Sequence, residues 1–462
     1  MTSARSALLG LLPDDLVAAV EAETGALVTA ITPRGGGGAS REGAELELEW
    51  PDGRSCRAYM NYDVHRAGAG DDDSFRREAA IIRALSGPLA SAGVKVAPFI
   101  AAIPDKRALL GGFVGGEANY NSLTTAEDRL AVARDFMGQL ARLHAIDPLA
   151  NPIDGMGAVE RPHVAIQKRL SSLRARNSGD GWDPLIQLSL DWLEANIPAD
   201  TVDPVVVHGD AGPANFLFAN GKVTILLDWE LVHYGDPMAD LAMLCLRMLF
   251  QPFVPLPLAF AAYEAAGGKP IDLARLRYWR LLFQTGFAGR TKLDDPNAPP
   301  PPNLGMNMVY STIHRRVLSE ALAETAGIEP FVCSLPDLPE GTRSRSFAIA
   351  LDDIRAVIAP RSNDQQAAVK AKGLARLIKW WRDIERYEPA LLEAERLELA
   401  AALETNFSDH PQAWTAFCDA VRSGSLDRRM AIRLCNAHVT RQSALMADAM
   451  GSLAKIGFAP LE

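Results

Sequence analysis

Two short apolar segments, 205–207 and 223–227, enclose a polar loop, and this arrangement constrains the fold more than any other part of the sequence. Short apolar runs bounded by turn residues are typical of buried strands. Asp210 and Asn215 lie in the loop, and Asp228 directly follows the second segment. These three side chains are therefore expected at the ends of buried strands, where a rigid scaffold positions them and a ligand can still reach them.

The same three residue types suit phosphoryl transfer. That reaction needs a carboxylate to orient the attacking hydroxyl and oxygen ligands for the Mg²⁺ that bridges the nucleotide phosphates. Asp210 supplies the first group, and Asn215 and Asp228 supply the second. The alternative is that these residues only form turns between strands, because Asp and Asn are common in loops. The combination of an apolar strand, the spaced polar residues and a following helix that begins near Asp236 favours the chemical role.

Three segments together resemble the aminoglycoside phosphotransferase and choline kinase superfamily: His208–Asn215, Asp228–Glu230 and Gly235–Ala242. The pattern is most similar to the bacterial branch related to the kinase-like domains fused to some acyl-CoA dehydrogenases. The resemblance covers residues 20–325 and does not reach the C-terminal helices.

The resemblance implies a role for each matching position. Asp210 is expected to be the catalytic base and His208 to brace its loop, while Asn215 and Asp228 hold Mg²⁺ that accompanies ATP, with GTP as the alternative nucleotide. The positions expected to contact the nucleotide are Gly36, Gly37, Asn61, Glu78, Gly111 and Gly112.

One strand departs from the family pattern. The family carries Lys or Arg in the strand before the helix, and the resemblance implies that Glu78 is the helix glutamate that pairs with this cation. Here the segment 57–62 places Met60 or Asn61 at the cation's position. Arg57, His65 and Arg66 are the nearby cations that could replace it. The phosphate-contacting cation is therefore expected to be either relocated to one of these residues or lost.

The expected fold is α+β and bilobal, like that of the protein kinases. An N-lobe with an antiparallel sheet and one helix is predicted for residues 1–114, and a mostly helical C-lobe with the catalytic loop for residues 115–327. The patterns beyond a proline-containing linker predict a separate all-α domain at residues 346–462.

Composition restricts the partners. The formal net charge of -10 argues against nucleic acid or an anionic membrane, which favour a basic face. Five scattered cysteines without a paired spacing, and an N-terminus unlike a signal peptide, predict a cytoplasmic protein. The leading hypothesis is a small-molecule kinase with an alcohol group as acceptor. The alternative is a nucleotide-binding pseudokinase whose helical tail docks a protein partner or a second copy of the chain.

Overall fold

The computed structural model describes residues 11–13, 15–34, 41–63, 72–289 and 300–462. Two compact units make up this part of the chain. Unit 1 comprises Met1–Ala165, Asp200–Leu273 and Ala459–Glu462, and unit 2 comprises Ile166–Ala199 and Ala274–Phe458. The boundaries of these units differ from those of the predicted domains, which are residues 1–114, 115–327 and 346–462. Whether the predicted domains fold independently stays a prediction.

The N-terminal part of unit 1 is an antiparallel sheet. Its strands, in the described residues, are β1 (Leu27–Arg34), β2 (Glu42–Glu49), β3 (Ser55–Tyr62), β4 (Phe99–Ile103) and β5 (Ala108–Gly112). They lie in the order β1-β2-β3-β5-β4, and each neighbouring pair is antiparallel.

One face of this sheet forms a hydrophobic core with helix α1 (Leu16–Thr24). Side chains alternate between the two faces of a strand, so only every second residue enters the core. On β3 the core residues are Ala58, Met60 and Tyr62, all of them buried. Asn61 therefore lies on the opposite face from Met60.

The rest of unit 1 is mostly helical. Its helices are α2 (Asp72–Ser86), α3 (Ala126–His144), α6 (Pro237–Arg247) and α7 (Leu256–Ala265). Two small antiparallel sheets lie between them, formed by β6 (Val205–Val207) with β9 (His233–Gly235) and by β7 (Phe216–Ala219) with β8 (Lys222–Leu226). The strand β7 lies inside the segment that the sequence predicted as one polar loop.

Unit 2 is helical. It is built from α4 (Pro162–Arg176), α5 (Pro184–Ala195), α8 (Leu273–Phe287), α9 (Leu304–Thr325), α10 (Ser344–Asp352), α11 (Ala359–Arg361), α12 (Gln365–Ala402), α13 (His410–Ser423) and α14 (Arg428–Met450). A π-helical segment, Asp353–Ile358, joins α10 to α11.

Helix α9 packs against both α12 and α14. Buried polar groups reinforce this contact, since the Asn436 amide donates to Ser319 Oγ at 2.8 Å. This packing is the reason that residues 304–325 belong to the same compact unit as the C-terminal helices.

The predicted α+β class, with an antiparallel sheet followed by helices, is confirmed. No helix in the described ranges combines the length and apolar character that a bilayer crossing requires.

Candidate active site

The loop after β6 is held by one fully buried carboxylate. Asp240, on α6, accepts hydrogen bonds from the backbone N–H groups of His208 and Gly209, each at 2.8 Å. It also contacts His144 Nε2 at 3.0 Å, and His144 Nδ1 lies 2.7 Å from the Tyr263 hydroxyl. Burial alone would raise the pKa of Asp240, but His144 and these hydrogen bonds lower it by more than burial raises it. The net shift is downward, so the group is held as a carboxylate. The start of the loop is therefore fixed from beneath.

Gly209 allows this close approach. Its φ is +85°, a left-handed conformation that favours glycine, and a Cβ there would lie 2.2 Å from the Leu231 carbonyl oxygen. A side chain at position 209 would push the loop away from the 3-10 turn Trp229–Leu231, which follows Asp228.

His208 links the loop to the second apolar segment. Its Nε2 lies 2.9 Å from the Leu227 carbonyl oxygen, and its Nδ1 lies 3.3 Å from the Asp210 backbone N–H. Burial lowers the pKa of His208, which favours the neutral ring with the proton on Nε2. The ring also packs against Trp229, with ring centroids 4.5 Å apart. His208 thus couples Asp210 to the residue before Asp228.

Asp210 has two hydrogen-bonding partners, Asn215 and Arg247. The Asn215 amide nitrogen donates to the Asp210 carbonyl oxygen at 2.8 Å and to Oδ2 at 2.9 Å. Arg247 Nε donates to Oδ1 at 2.7 Å, and Nη2 contacts Oδ2. Because the amide nitrogen of Asn215 makes these bonds, its oxygen is the atom that it can offer to a metal.

Arg247 was missed by the sequence analysis, although a signal was present. It lies seven residues after Asp240 on α6, and seven residues are close to two helical turns. Both side chains therefore lie on one face of the helix, one beneath His208 and the other beside Asp210.

Asp228 lies among like charges. Burial raises its pKa, the carboxylates of Glu230 and Asp210 raise it further, and Arg247 and Arg41 oppose the rise. Its φ is +64°, which is uncommon for a residue with a side chain and is often found at functional sites. Asp210 and Glu230 are half-buried and Asp228 is exposed, and such carboxylates with an amide oxygen nearby are a donor set that suits Mg²⁺.

The cationic partner of Glu78 is Arg41, the residue before β2. Arg41 Nη1 lies 2.5 Å from Glu78 Oε2, and Nη2 lies 3.8 Å from Glu230 Oε2. Burial lowers the pKa of Arg41, but Glu78, Glu230 and Asp228 raise it more, so the guanidinium stays charged. Burial raises the pKa of Glu78, and Arg41 opposes the rise. Of the two expectations, a relocated or a lost cation, this pair favours relocation, to a residue that the sequence analysis did not consider.

Of the three cations considered from the sequence, Arg57 lies in the described residues, and its contacts there are not with Glu78. Arg57 contacts Glu45 Oε2 and stacks on Phe113, with its guanidinium carbon 3.8 Å from the ring centroid. His65 and Arg66 lie outside the described residues. The expected cations lie on or just after β3, whereas the cation that pairs with Glu78 precedes β2, the neighbouring strand.

Helix α2 is also tied to the turn after Asp228, because Ser74 Oγ donates to the Glu230 carbonyl oxygen at 2.7 Å. Glu78, Arg41 and the Asp228–Glu230 segment therefore form one connected group. Together with the Asp210–Asn215 pair, they place the predicted catalytic and metal-binding residues in one region of unit 1.

Of the other residues predicted to contact the nucleotide, some lie in the described part of the chain and some do not. Gly36 and Gly37 lie outside the described residues. Asn61 is half-buried on β3, opposite Gly43 and Leu109, and in the described contacts Glu78 is paired with Arg41 instead.

Gly111 and Gly112 lie on β5, against the segment that precedes β4. A Cβ at Gly111 would lie 2.7 Å from the Cβ of Ala97, and the Gly112 N–H donates to the Pro98 carbonyl oxygen at 2.8 Å. This close packing accounts for both glycines, and their contact with a nucleotide stays a prediction.

A cavity of about 450 Å³ lies elsewhere in unit 1 and is lined by Phe75, Arg76, Ala79, Ala80, Arg83, Ala102, Pro104, Asp154 and Gly155. None of the residues around Asp210 and Asp228 lines it, so this cavity is separate from the candidate active site.

A family model described as the phosphotransferase enzyme family matches residues 63–279. The matched segment belongs to that family. It includes Glu78, the whole loop from His208 to Asn215, Asp228 and Arg247, but not Arg41. The resemblance stated from the sequence is confirmed.

Curated relatives of the chain are also found. The chain is 29% identical over 119 residues to acyl-CoA dehydrogenase family member 10 of Mus musculus, which covers 25% of this chain and 11% of the relative. It is 32% identical over 108 residues to family member 11 of Gallus gallus, covering 22% of this chain and 13% of the relative. The chain thus matches little more than a tenth of the length of either relative.

A solved structure supports the fold. A crystal structure described as that of a candidate aminoglycoside phosphotransferase from Ralstonia eutropha JMP134 aligns with a TM-score of 0.51. The two chains are 19% identical, and the alignment covers 71% of this chain and 99% of the other. This likeness, with the antiparallel sheet and helical part described above, establishes the kinase-like fold.

Proposed function

We propose that the protein transfers the γ-phosphate of ATP to a hydroxyl group of a small molecule. The observation that carries the proposal is that Asp228 lies beside the loop of Asp210 and Asn215, and that Asp240 fixes the start of this loop. Phosphoryl transfer depends mainly on positioning and electrostatic stabilisation, and a loop fixed by buried hydrogen bonds provides positioning.

In this mechanism Asp210 accepts a hydrogen bond from the substrate hydroxyl and aligns its oxygen with the phosphorus. Arg247 and Asn215 hold the carboxylate in one orientation while it does so. The oxygens of Asn215 and Asp228 would hold Mg²⁺, which when bound neutralises charge on the nucleotide phosphates.

Arg41 completes the nucleotide site in this proposal. It lies between Glu78 and the Asp228–Glu230 segment, which is where a kinase holds the lysine that contacts the phosphates. Glu78 keeps the guanidinium in place, and the remaining N–H groups of Arg41 donate to phosphate oxygens. A guanidinium suits this role because its donors match phosphate geometry.

The pseudokinase alternative drew its main support from a missing cation. With Arg41 paired to Glu78, that support is removed, and the catalytic hypothesis is favoured over the scaffold hypothesis.

The test is ATP turnover by the purified protein against a panel of small alcohols, with nucleotide binding measured in parallel by thermal shift. The Asp210→Asn variant should lower turnover by about 10²–10⁴-fold with Mg-nucleotide binding nearly unchanged. The matched control is Asp203→Asn, an exposed position with 91% side-chain exposure, which should leave turnover at the parent level. Equal turnover in the two variants on the identified substrate would remove Asp210 from the mechanism. Nucleotide binding without turnover on any alcohol would favour the pseudokinase.

A further inference from the structure

A second cluster of chemically active side chains lies in the helical unit 2. Glu395 on α12, His410 at the start of α13 and His438 on α14 bring one ligand atom each to within 4.8 Å of one another. Glu395 Oε1 lies 2.8 Å from His438 Nδ1, and Oε2 lies 2.8 Å from His410 Nε2. Three different helices therefore meet at one carboxylate.

The surrounding structure holds these groups in place. Glu395 is 3% exposed and His438 is 6% exposed, while His410 is half-buried. The Trp414 ring stacks on His438 with centroids 3.8 Å apart and an interplanar angle of 20°. Asp409 caps α13 by accepting from the Gln412 N–H at 2.9 Å, which fixes the helix end that carries His410. The cluster is preorganised, with one ligand near the solvent.

The charge of the cluster favours a cation. Glu395 is 3% exposed, and a buried carboxylate is costly unless it is paired or hydrogen-bonded. A divalent cation bound between this carboxylate and the two imidazole nitrogens would provide that compensation.

The donor set matches zinc. Two histidines and one glutamate, with a water as the fourth ligand, form a common zinc coordination sphere, with metal–ligand bonds of about 2.0–2.2 Å. Ligand atoms separated by up to twice that length can reach one ion, so the observed spacing closes with a small shift. His410, which is the most accessible of the three residues, leaves a path for the ion and a place for the water.

We propose that Glu395, His410 and His438 form a zinc site that cross-links α12, α13 and α14. The site lies outside the segment that matches the phosphotransferase family and is independent of the proposed transfer reaction. Its effect is to stabilise the C-terminal helices, since binding to the folded state alone adds to the free energy of unfolding.

The alternative is a triad held by hydrogen bonds alone, which the same 2.8 Å distances would satisfy. A measurement of metal binding distinguishes the zinc site from the hydrogen-bonded triad. Full-length protein stripped with a chelator is titrated with Zn²⁺ against a chromophoric competitor, and Co²⁺ is used as a spectroscopic probe of the ligands. We expect about one tight equivalent per chain, a Co²⁺ spectrum with four-coordinate features, and a higher melting temperature with zinc.

The variants Glu395→Gln, His410→Gln and His438→Gln should each lose that equivalent. The matched controls are Glu393→Gln, an exposed glutamate two residues away on the same helix, and His163→Gln, a histidine outside the cluster. Both controls should bind zinc as the parent does. The proposal is overturned if the parent takes up no stoichiometric zinc, or if His410→Gln binds it as well as His163→Gln. His410 is partly exposed and its variant should fold even if the other two do not, and the parent titration depends on no variant.

Discussion

Arg41 and Glu78 form an ion pair between the residue that precedes β2 and the helix α2, with Nη1 2.5 Å from Oε2. The side chains are 14% and 4% exposed, so the pair is largely shielded from solvent. The second terminal nitrogen of Arg41, Nη2, is directed toward Glu230, which lies two residues after Asp228. The first prediction concerns this pair.

Replacing Arg41 by Gln should weaken ATP binding by about ten- to a hundred-fold, because hydrogen bonds to charged groups contribute roughly 1.5–3 kcal/mol. Glu78→Ala should weaken binding as well, since it frees the guanidinium from its position. In a double-mutant cycle the two losses should be less than additive. Binding is measured by calorimetry with a non-hydrolysable ATP analogue.

Arg57→Gln is the matched control, because Arg57 pairs with Glu45 on the neighbouring strand and not with Glu78. Unchanged affinity in Arg41→Gln together with a large loss in Arg57→Gln would place the phosphate-contacting cation on β3. The added lysine in Asn61→Lys should bring little gain, because Glu78 already has a partner.

The second prediction concerns Arg247 and its two hydrogen bonds to Asp210. Arg247→Lys keeps the charge but cannot hold both carboxylate oxygens at once. Turnover should fall while the KM for ATP changes little, because the lost contact orients Asp210 and does not touch the nucleotide. Steady-state kinetics on the identified substrate separate the two parameters. A rise in the KM for ATP at constant kcat would instead assign Arg247 to nucleotide binding.

The third prediction concerns Asp240. In Asp240→Ala the buried N–H groups of His208 and Gly209 lose their acceptor. Each unsatisfied buried group costs about 1–3 kcal/mol, so the free energy of unfolding should fall by several kcal/mol. Hydrogen exchange of the peptide that contains the loop should speed up in particular. Asp52→Asn, at an exposed turn, is the control and should leave that peptide unchanged. Equal protection in both variants would show that Asp240 does not hold the loop.

The fourth prediction concerns pH. Burial lowers the pKa of His208 in the folded protein, while Asp240 and Asp210 oppose this effect. In the unfolded chain the pKa of this histidine is about 6.5. Below that pH the unfolded state binds a proton at the histidine, whereas the folded state, with its lower pKa, does not yet bind one. The stability that His208 contributes is therefore complete above about pH 6.5 and declines as the pH falls toward the lowered folded-state pKa. Urea denaturation from about pH 8 to about pH 5 should show a weaker pH dependence in His208→Gln. Parallel curves for variant and parent would contradict this account.

Several features could be predicted from the sequence because they depend on local patterns. The apolar run at 205–207 and the turn residues that follow it fix a strand and a loop, and the alternation along 55–62 fixes a strand with one buried face. The motif from His208 to Asn215 with Asp228 identifies the family because those residues are close in sequence.

Other features depend on contacts between residues that are far apart in sequence. Arg41 and Glu78 are 37 residues apart, and Asp210 and Arg247 are also 37 residues apart. Which cation reaches a buried carboxylate is decided by the register of β2 against β3 and by the placement of α2, and no local pattern encodes either. The sequence therefore indicated that Glu78 needs a partner, and the tertiary structure selected Arg41.

The same limit applies to the helical tail. Amphipathic periodicity determined that residues beyond 345 are helical, since each helix needs one apolar face. It could not determine that α9 packs against α12 and α14, or that Glu395, His410 and His438 meet, because their separations of 15 and 43 residues are closed only when three helices pack together. Local patterning thus determined most elements of this protein and the motif from His208 to Asn215, and long-range packing decided which charged groups became partners.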